Sequence, residues 1–177
     1  MKPILLIYRT KTGFTKKYAE WISKEVTCKT IPLEKIKDED INSYNIIIYG
    51  AGMHAGRIQG LNKFKKNVLN LADKKIIVFA TGGTPCIEKV VTKIKKDNFT
   101  DEELENINKF YYFQSGVNYE RMGMVDKAIM KTYSKILDLK NNKSKIEEGT
   151  RNAISKSYDN SSREYIKPMV DYINQLI

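Results

Sequence analysis

Three threonines and one glycine stand close together near the start of the chain, in a six-residue segment that has the composition of an anion site. Their hydroxyls and the backbone N–H groups of residues 12–15 can surround one phosphate dianion, and a helix beginning behind them would add its favourable dipole. Gly13 lets the backbone approach a ligand closely and adopt a conformation that other residues resist. The segment therefore predicts a phosphate site that needs no cation. Its residues are Thr10, Lys11, Thr12, Gly13, Phe14 and Thr15.

A threonine-rich turn that merely caps a helix is the alternative, and such a turn needs one threonine rather than three. Two other loop types are excluded by residue type. A P-loop requires Gly-Lys-Ser/Thr, which is absent here. The receiver domain of a response regulator would have an acidic pair after the first strand, where this chain has Arg9 and Thr10.

Segments typical of strands alternate along the chain with segments typical of helices. These elements form the scaffold that must position the predicted phosphate loop. Short apolar runs indicate strands that are buried on both faces of a parallel sheet. Longer segments with apolar residues on one side indicate helices. The predicted strands are residues 3–8, 27–33, 45–49, 75–80 and 109–117, and the predicted helices are 15–26, 61–71, 86–96, 100–107, 124–137 and 162–177.

This alternation predicts a three-layer α/β sandwich, with helices on both faces of a five-stranded parallel sheet in the order 2-1-3-4-5. An extra helix follows the fifth strand. We expect residues 1–177 to form a single domain, because no linker or repeat divides them. Ligands of such sheets bind beyond the carboxyl ends of the strands, where the strand order reverses. The loops after strands one, three and four should therefore meet at one site.

The loops after strands three and four are rich in glycine, which suits backbone that must approach a flat ligand. The first is not a dinucleotide fingerprint, because it follows the third strand and its glycine spacing is one residue too long. Neither loop contains an aromatic residue, and Tyr119 could reach in from beyond strand five. The predicted ligand contacts are Gly50, Ala51, Gly52, Met53, His54 and Gly56 in the first loop, and Thr81, Gly82, Gly83 and Thr84 in the second.

The pattern T-x-T-G-x-T after a buried first strand resembles the FMN-phosphate loop of flavodoxins and matches it at every fixed position. The resemblance implies a flavodoxin-like fold with FMN as cofactor. It also implies that the two glycine-rich loops flank the isoalloxazine ring. Flavodoxins usually stack an aromatic side chain on that ring, and the loops of this chain offer only Met53 and His54 as sizeable contacts.

The segment after strand five resembles one branch of this family, the flavodoxin-domain proteins related to menaquinone-dependent protoporphyrinogen IX dehydrogenase. The resemblance rests on residues 113–119, on Asp126 in the helix that follows, and on the closing residues 165–168. It implies an FMN-dependent oxidoreductase, with protoporphyrinogen oxidation and a quinone acceptor as the named possibility. An electron-transfer protein that acts on another substrate is the alternative within this class.

His54 is the only histidine in the sequence and could serve as a proton donor near neutral pH. A residue that contacts the flavin or is exposed to solvent, without an acid–base role, is the favoured alternative. One histidine and two scattered cysteines do not provide the ligands of a metal site. Cys28 and Cys86 lack a CxxC spacing, which predicts free thiols.

The chain carries a formal net charge of +10, and only five of its 31 basic residues are arginine. Specific nucleic-acid sites favour arginine and exposed aromatic residues, so we expect no nucleic-acid partner. Lysine richness from genome base composition and attraction to an anionic partner or membrane remain as alternatives. No apolar run approaches the roughly 20 residues that span a bilayer, and no secretory signal is visible. These features favour the cytoplasm.

The extra helix has an apolar face and a basic stripe of Lys127, Lys131 and Lys135 at four-residue spacing. Packing of the apolar face on the domain, with the lysines in solvent, is the favoured interpretation. The alternative is peripheral contact with the inner face of the membrane, which would bring the site to a membrane quinone. A redox partner protein is the other expected partner. A non-catalytic module that binds a phosphate ligand or a partner through the same loops is the alternative function.

Overall fold

Five parallel strands form the centre of the fold, in a computed structural model that describes residues 3–39, 41–69, 71, 73–141, 154 and 156–177. Their buried positions are dominated by isoleucine, leucine, valine and phenylalanine, as expected for strands that are covered on both faces. The strands are β1 (Ile4–Arg9), β2 (Lys29–Pro32), β3 (Ile46–His54), β5 (Lys75–Gly82) and β6 (Lys109–Gln114). Their order is β2-β1-β3-β5-β6, which confirms the predicted 2-1-3-4-5 arrangement.

A short antiparallel strand, β4 (Arg57–Ile58), folds back on the end of β3. The turn between them places Ala55 at φ 47° and Gly56 at φ 78°. Two consecutive positive φ angles are typical of the tight hairpin turns that suit twisted strands. The turn therefore accounts for Gly56, whose positive φ favours glycine.

Helices cover both faces of the sheet and create two apolar layers. One layer lies under α2 (Leu61–Phe64), its π-helical extension Lys65–Leu69, and α3 (Glu88–Asn98). The other lies under α1 (Phe14–Glu25) and the closing helix α6 (Lys167–Asn174). The short α4 (Asp101–Glu105) begins with a capping box between Thr100 and Glu103.

The fifth predicted strand is in fact two strands. After β6 the chain continues into β7 (Gly116–Val117), which pairs with β8 (Tyr158–Asp159) in a separate two-stranded sheet. Gly116 permits this pairing, because a Cβ at this position would lie 1.9 Å from the carbonyl oxygen of Tyr158. The closing segment also divides into a 3₁₀ turn, Arg163–Ile166, and α6, where Pro168 occupies the first turn and is tolerated.

The extra helix, α5 (Met124–Leu139), does not pack its apolar face on the domain, contrary to the favoured interpretation of the sequence. Its apolar side faces solvent: Met124 is 87% exposed, and Ile129 and Ile136 are more than half exposed. Of its apolar residues only Leu137 is buried. The inward side instead carries Asp126 and Met130, so polar contacts with the domain set the rotation of this helix. No helix within the described ranges is long and apolar enough to cross a membrane.

Candidate functional site

A cleft of about 330 Å³ opens at the carboxyl ends of β1, β3 and β5, where the topology predicts a ligand. The three predicted loops meet there. The predicted residues that line it are Thr10, Lys11, Thr12, Phe14, Thr15, Gly52, Met53, His54, Thr81, Gly82 and Gly83. Further lining residues flank β4, form or directly precede β7, and belong to α5 or the turn before it. They are Ala55, Gln59, Ser115, Gly116, Val117, Met122, Asp126, Ile129 and Met130.

The predicted phosphate loop connects β1 directly to the N-terminus of α1. The hydroxyl of Thr10 accepts a hydrogen bond from the N–H of Gly13 at 3.0 Å, which folds the loop into a compact turn. The first N–H groups of a helix have no partner within the helix. The first turn of α1 also contains no acidic residue that would repel an anion. The loop therefore has the donors and the local charge of a phosphate site.

Gly13 has φ +97°, in the left-handed region that favours glycine. A Cβ at this position would lie 2.6 Å from a guanidinium nitrogen of Arg121, which covers the outer side of the loop. Gly13 therefore shapes the loop from behind and does not line the cleft. Arg121 adds a positive charge beside the loop, and the sequence reasoning did not predict it.

One buried polar contact connects two of the loops at the floor of the cleft, and a buried amide oxygen nearby has no partner among the described residues. The hydroxyls of Thr15 and Thr81 lie 2.9 Å apart, which ties the start of α1 to the end of β5. The side-chain oxygen of Gln59 is buried beside the cleft and has no hydrogen-bond partner among the described residues. A buried acceptor without a partner costs about 1–3 kcal/mol. Gln59 lines the cleft, so a small turn of its side chain would present this oxygen to an N–H group of a bound ligand.

Helix α5 reaches across the mouth of the cleft through Asp126. One carboxylate oxygen lies 2.9 Å from Nε2 of His54, and the other lies 3.6 Å from Nζ of Lys11. The hydrogen bond from His54, together with the positive charge of Lys11, lowers the pKa of Asp126 below its usual range. The three side chains join the phosphate loop, the end of β3 and α5, so this helix covers the cleft.

Methionine replaces the aromatic residues that usually face a flavin. Met53, Met122 and Met130 line the cleft, and Phe14 is its only aromatic lining residue within the described part of the chain. Methionine adapts to irregular surfaces and makes favourable sulfur contacts with aromatic rings. A flat ring can therefore be contacted on its faces without aromatic stacking.

Several predicted contacts do not line the cleft, each for a local structural reason. Gly50 and Ala51 lie within β3, and a Cβ on Gly50 would lie 2.0 Å from the ring of Phe79. Gly56 is the exposed tip of the β3–β4 turn. Thr84 lies beyond the cleft, where its carbonyl oxygen accepts a hydrogen bond from the hydroxyl of Tyr112.

Tyr119 is directed away from the cleft. Its backbone N–H donates to Ser157, and its hydroxyl donates to the carbonyl oxygen of Ile154. It forms part of a second cavity on the other side of α5, together with Lys127, Lys131 and Lys135. Both cysteines are free thiols, as predicted.

The sequence model of the flavodoxin domain family matches residues 5–144, well over half of the chain. The chain belongs to the flavodoxin domain family. The matched range contains β1 to β7 and α5, and with them all of the elements that line the cleft. Membership of this flavodoxin domain family and the donors of the phosphate loop agree on FMN as the cofactor.

Other proteins resemble this flavodoxin-domain chain at low identity. A protein of uncharacterized function from Methanocaldococcus jannaschii is 24% identical over 111 residues, which cover 62% of this chain and 73% of that protein. A flavoprotein from Lactobacillus acidophilus, solved in complex with FMN, is 18% identical, with a TM-score of 0.44, over 63% of this chain and 93% of its own. The Trp repressor binding protein from Bacillus subtilis is 16% identical, with a TM-score of 0.47, over 79% and 99%.

Proposed function

We propose that the chain is an oxidoreductase or electron carrier that works through FMN held in the cleft under α5. The observation that carries the proposal is the pairing of a phosphate loop at one end of the cleft with Gln59, a residue that lines the cleft and whose buried side-chain oxygen has no partner among the described residues. A phosphate at the helix N-terminus and an N–H at the edge of a flat ring would satisfy both. Bound FMN supplies the chemistry of taking up and releasing electrons.

The side chains of the cleft have distinct roles in this proposal. Thr10 and Thr12 donate to the phosphate, with the N-terminus of α1 behind them. Met53 and Met130 contact the ring faces. Asp126 holds α5 over the mouth of the cleft through His54 and excludes water from the ring. No side chain is required to break or form a bond, because the cofactor performs the redox step.

The absorption spectrum of the purified protein tests this proposal most directly. We expect a yellow protein with flavin absorption, and apo-protein that binds FMN at micromolar concentrations and binds riboflavin more weakly. After anaerobic reduction with dithionite, a quinone or a protein acceptor should restore the oxidised spectrum. Failure to bind FMN at these concentrations would leave a module for another phosphate ligand or a partner as the function.

Within this function, we propose protoporphyrinogen as a substrate and a quinone as the electron acceptor. The support is the sequence resemblance after β6, which includes Asp126. Purified protein is mixed with protoporphyrinogen and a menaquinone analogue, and porphyrin fluorescence reports the product. Absence of turnover would retire this substrate and leave the FMN proposal intact.

We also propose that the basic stripe brings the protein to an anionic membrane that contains the quinone. Each lysine near such a surface contributes about 1 kcal/mol. The triple variant Lys127→Gln, Lys131→Gln, Lys135→Gln should float with anionic vesicles much less than the wild type. Equal flotation of both proteins would exclude these lysines from membrane contact and favour a soluble redox partner.

A further inference from the structure

A second cavity, of about 720 Å³, lies on the opposite side of α5 from the cleft. Helix α5 forms one wall, and the segment around β8 forms the other. Its base contains the buried Ile154 and the half-buried Tyr119, which are joined by the hydrogen bond from the tyrosine hydroxyl to the Ile154 carbonyl oxygen. The lining residues are Tyr119, Glu120, Lys127, Lys131, Ser134, Lys135, Ile154, Lys156 and Ser157.

Four lysines surround this cavity, and none of the four has a carboxylate within ion-pair distance in the described part of the chain. Elsewhere, lysines such as Lys17 and Lys65 pair with a carboxylate at 2.5–2.6 Å. Lysines four residues apart on one helix face repel each other by about 0.2–0.5 kcal/mol per pair. Among the described residues, the cavity thus brings together four lysines and a single carboxylate, that of Glu120.

The single carboxylate among the described lining residues is already engaged. Glu120 accepts a hydrogen bond from the Ser157 hydroxyl at 2.7 Å, and this bond, with the positive charge of Lys127, lowers its pKa. Ser157 also accepts the N–H of Tyr119, so it is fixed in place. Ser134 of α5 is half-buried and also lines the cavity.

We propose that this cavity binds an anion that carries two or more phosphate charges. Lysine ammoniums on flexible stems bind phosphate as point charges and need no fixed geometry. The apolar base contributed by Tyr119 and Ile154 accommodates the non-ionic part of such a ligand. A soluble polyphosphate compound and the headgroup of an anionic lipid offer the same chemistry. The proposal does not depend on the identity of the redox substrate.

Binding of inorganic tripolyphosphate to FMN-saturated protein tests the proposal, because FMN then fills the phosphate loop. Isothermal titration should give one site per chain. The variant Lys131→Gln/Lys135→Gln should weaken binding at least tenfold while leaving FMN affinity unchanged and without lowering thermal stability. The matched control is Lys89→Gln/Lys96→Gln, which removes the same charge from exposed positions of α3 and should change the affinity less than twofold.

Flotation with phosphatidylglycerol vesicles identifies the source of the phosphate. Tripolyphosphate binding lost only in the α5 variant supports a soluble ligand. Flotation lost only in that variant, without tripolyphosphate binding, supports a lipid headgroup at the same site. Equal losses of binding in the α3 variant (Lys89→Gln/Lys96→Gln) and in the α5 variant (Lys131→Gln/Lys135→Gln) would overturn the proposal, because positive charge would then attract the anion without a defined site. Unchanged binding of both tripolyphosphate and vesicles by the α5 variant would also overturn it.

Discussion

The contact of Asp126 with His54 and Lys11 holds α5 over the cleft, and its removal should speed the escape of FMN. In the variant Asp126→Asn, the side chain keeps its size and loses its negative charge. The ion pair with Lys11 then disappears, and the hydrogen bond from His54 no longer has a charged acceptor. The closed position of α5 becomes less stable, while the phosphate loop remains intact.

The size of this effect follows from the distances and the exposure of the three side chains. At 3.6 Å, with the Lys11 side chain 49% exposed, the ion pair is worth at most about 1 kcal/mol. The His54 hydrogen bond at 2.9 Å, also partly exposed, adds about 1 kcal/mol. A loss of about 1–2 kcal/mol corresponds to a factor of about 5–30. Mutations at an interface act mainly on the dissociation rate, so the release rate should increase by that factor.

Stopped-flow flavin fluorescence after mixing the FMN-loaded protein with excess competitor apo-flavodoxin measures the release rate. The control Asp171→Asn makes the same chemical change on the exposed surface of α6, and we expect no change in rate. High salt, where the screening length falls to about 3 Å at 1 M, should accelerate release from the wild type more than from Asp126→Asn. Equal rates for wild type and Asp126→Asn would refute the role of Asp126 as the tether of α5.

Three further predictions concern the loop, the buried amide and pH. Gly13→Ala should lower the free energy of unfolding by about 1–2 kcal/mol, because the backbone at this position has φ +97°. Thermal melting of the apo-protein measures this loss, and an unchanged melting temperature would contradict the prediction. Gln59→Leu should raise the melting temperature of the apo-protein, because it removes a buried oxygen that has no partner among the described residues. The same variant should weaken the binding of FMN and of riboflavin by equal factors, and titration with each ligand compares the two losses of affinity. The pKa of Asp126 is lowered in the folded protein. Its stabilising contacts are therefore fully present above the unfolded-state pKa of about 4 and are lost as the pH falls through the folded-state pKa. FMN release from the wild type should accelerate below about pH 4, whereas release from Asp126→Asn should hardly change.

The order of the sheet and the position of the phosphate loop were predictable because they depend on short-range patterns. Five apolar runs separated by helical segments leave few topologies that bury every strand, and parallel strands bring their carboxyl-end loops to one edge. The residues from Thr10 to Thr15 follow β1 directly, so their location required no knowledge of distant contacts.

Several glycines that were predicted to contact the cofactor are present for structural reasons that the sequence alone does not reveal. Gly50 was predicted to contact the cofactor because it follows an apolar run. It lies inside β3, beside Phe79 on the neighbouring strand, and the ring of Phe79 occupies the space that its side chain would need. Gly56 belongs to a tight turn. Ligand approach, strand packing and turn geometry all select glycine, so the residue type alone does not distinguish them.

The remaining differences arise from contacts between residues that are far apart in sequence. Tyr119 turns away from the cleft because Val117 pairs with Tyr158, a partner that no local pattern reveals. Gln59 gives no sequence signal. Asp126 gives a partial signal, because its four-residue spacing from Met130 places both side chains on one face of the predicted helix, but its contact with His54 is visible only in the fold.

The pairing of β7 with β8 also makes the region between them separable from the rest of the domain. Val117 and Tyr158 are direct neighbours across this two-stranded sheet, so the chain leaves and returns at almost the same point. Residues 118–157 therefore begin and end at the base of a hairpin. Replacing them by a two-residue turn would leave both apolar layers and the phosphate loop in place. The shortened chain would keep the phosphate loop but lose Met122, Asp126 and Met130 from the cleft, and comparison with the full chain would measure how much this region contributes to FMN affinity and release.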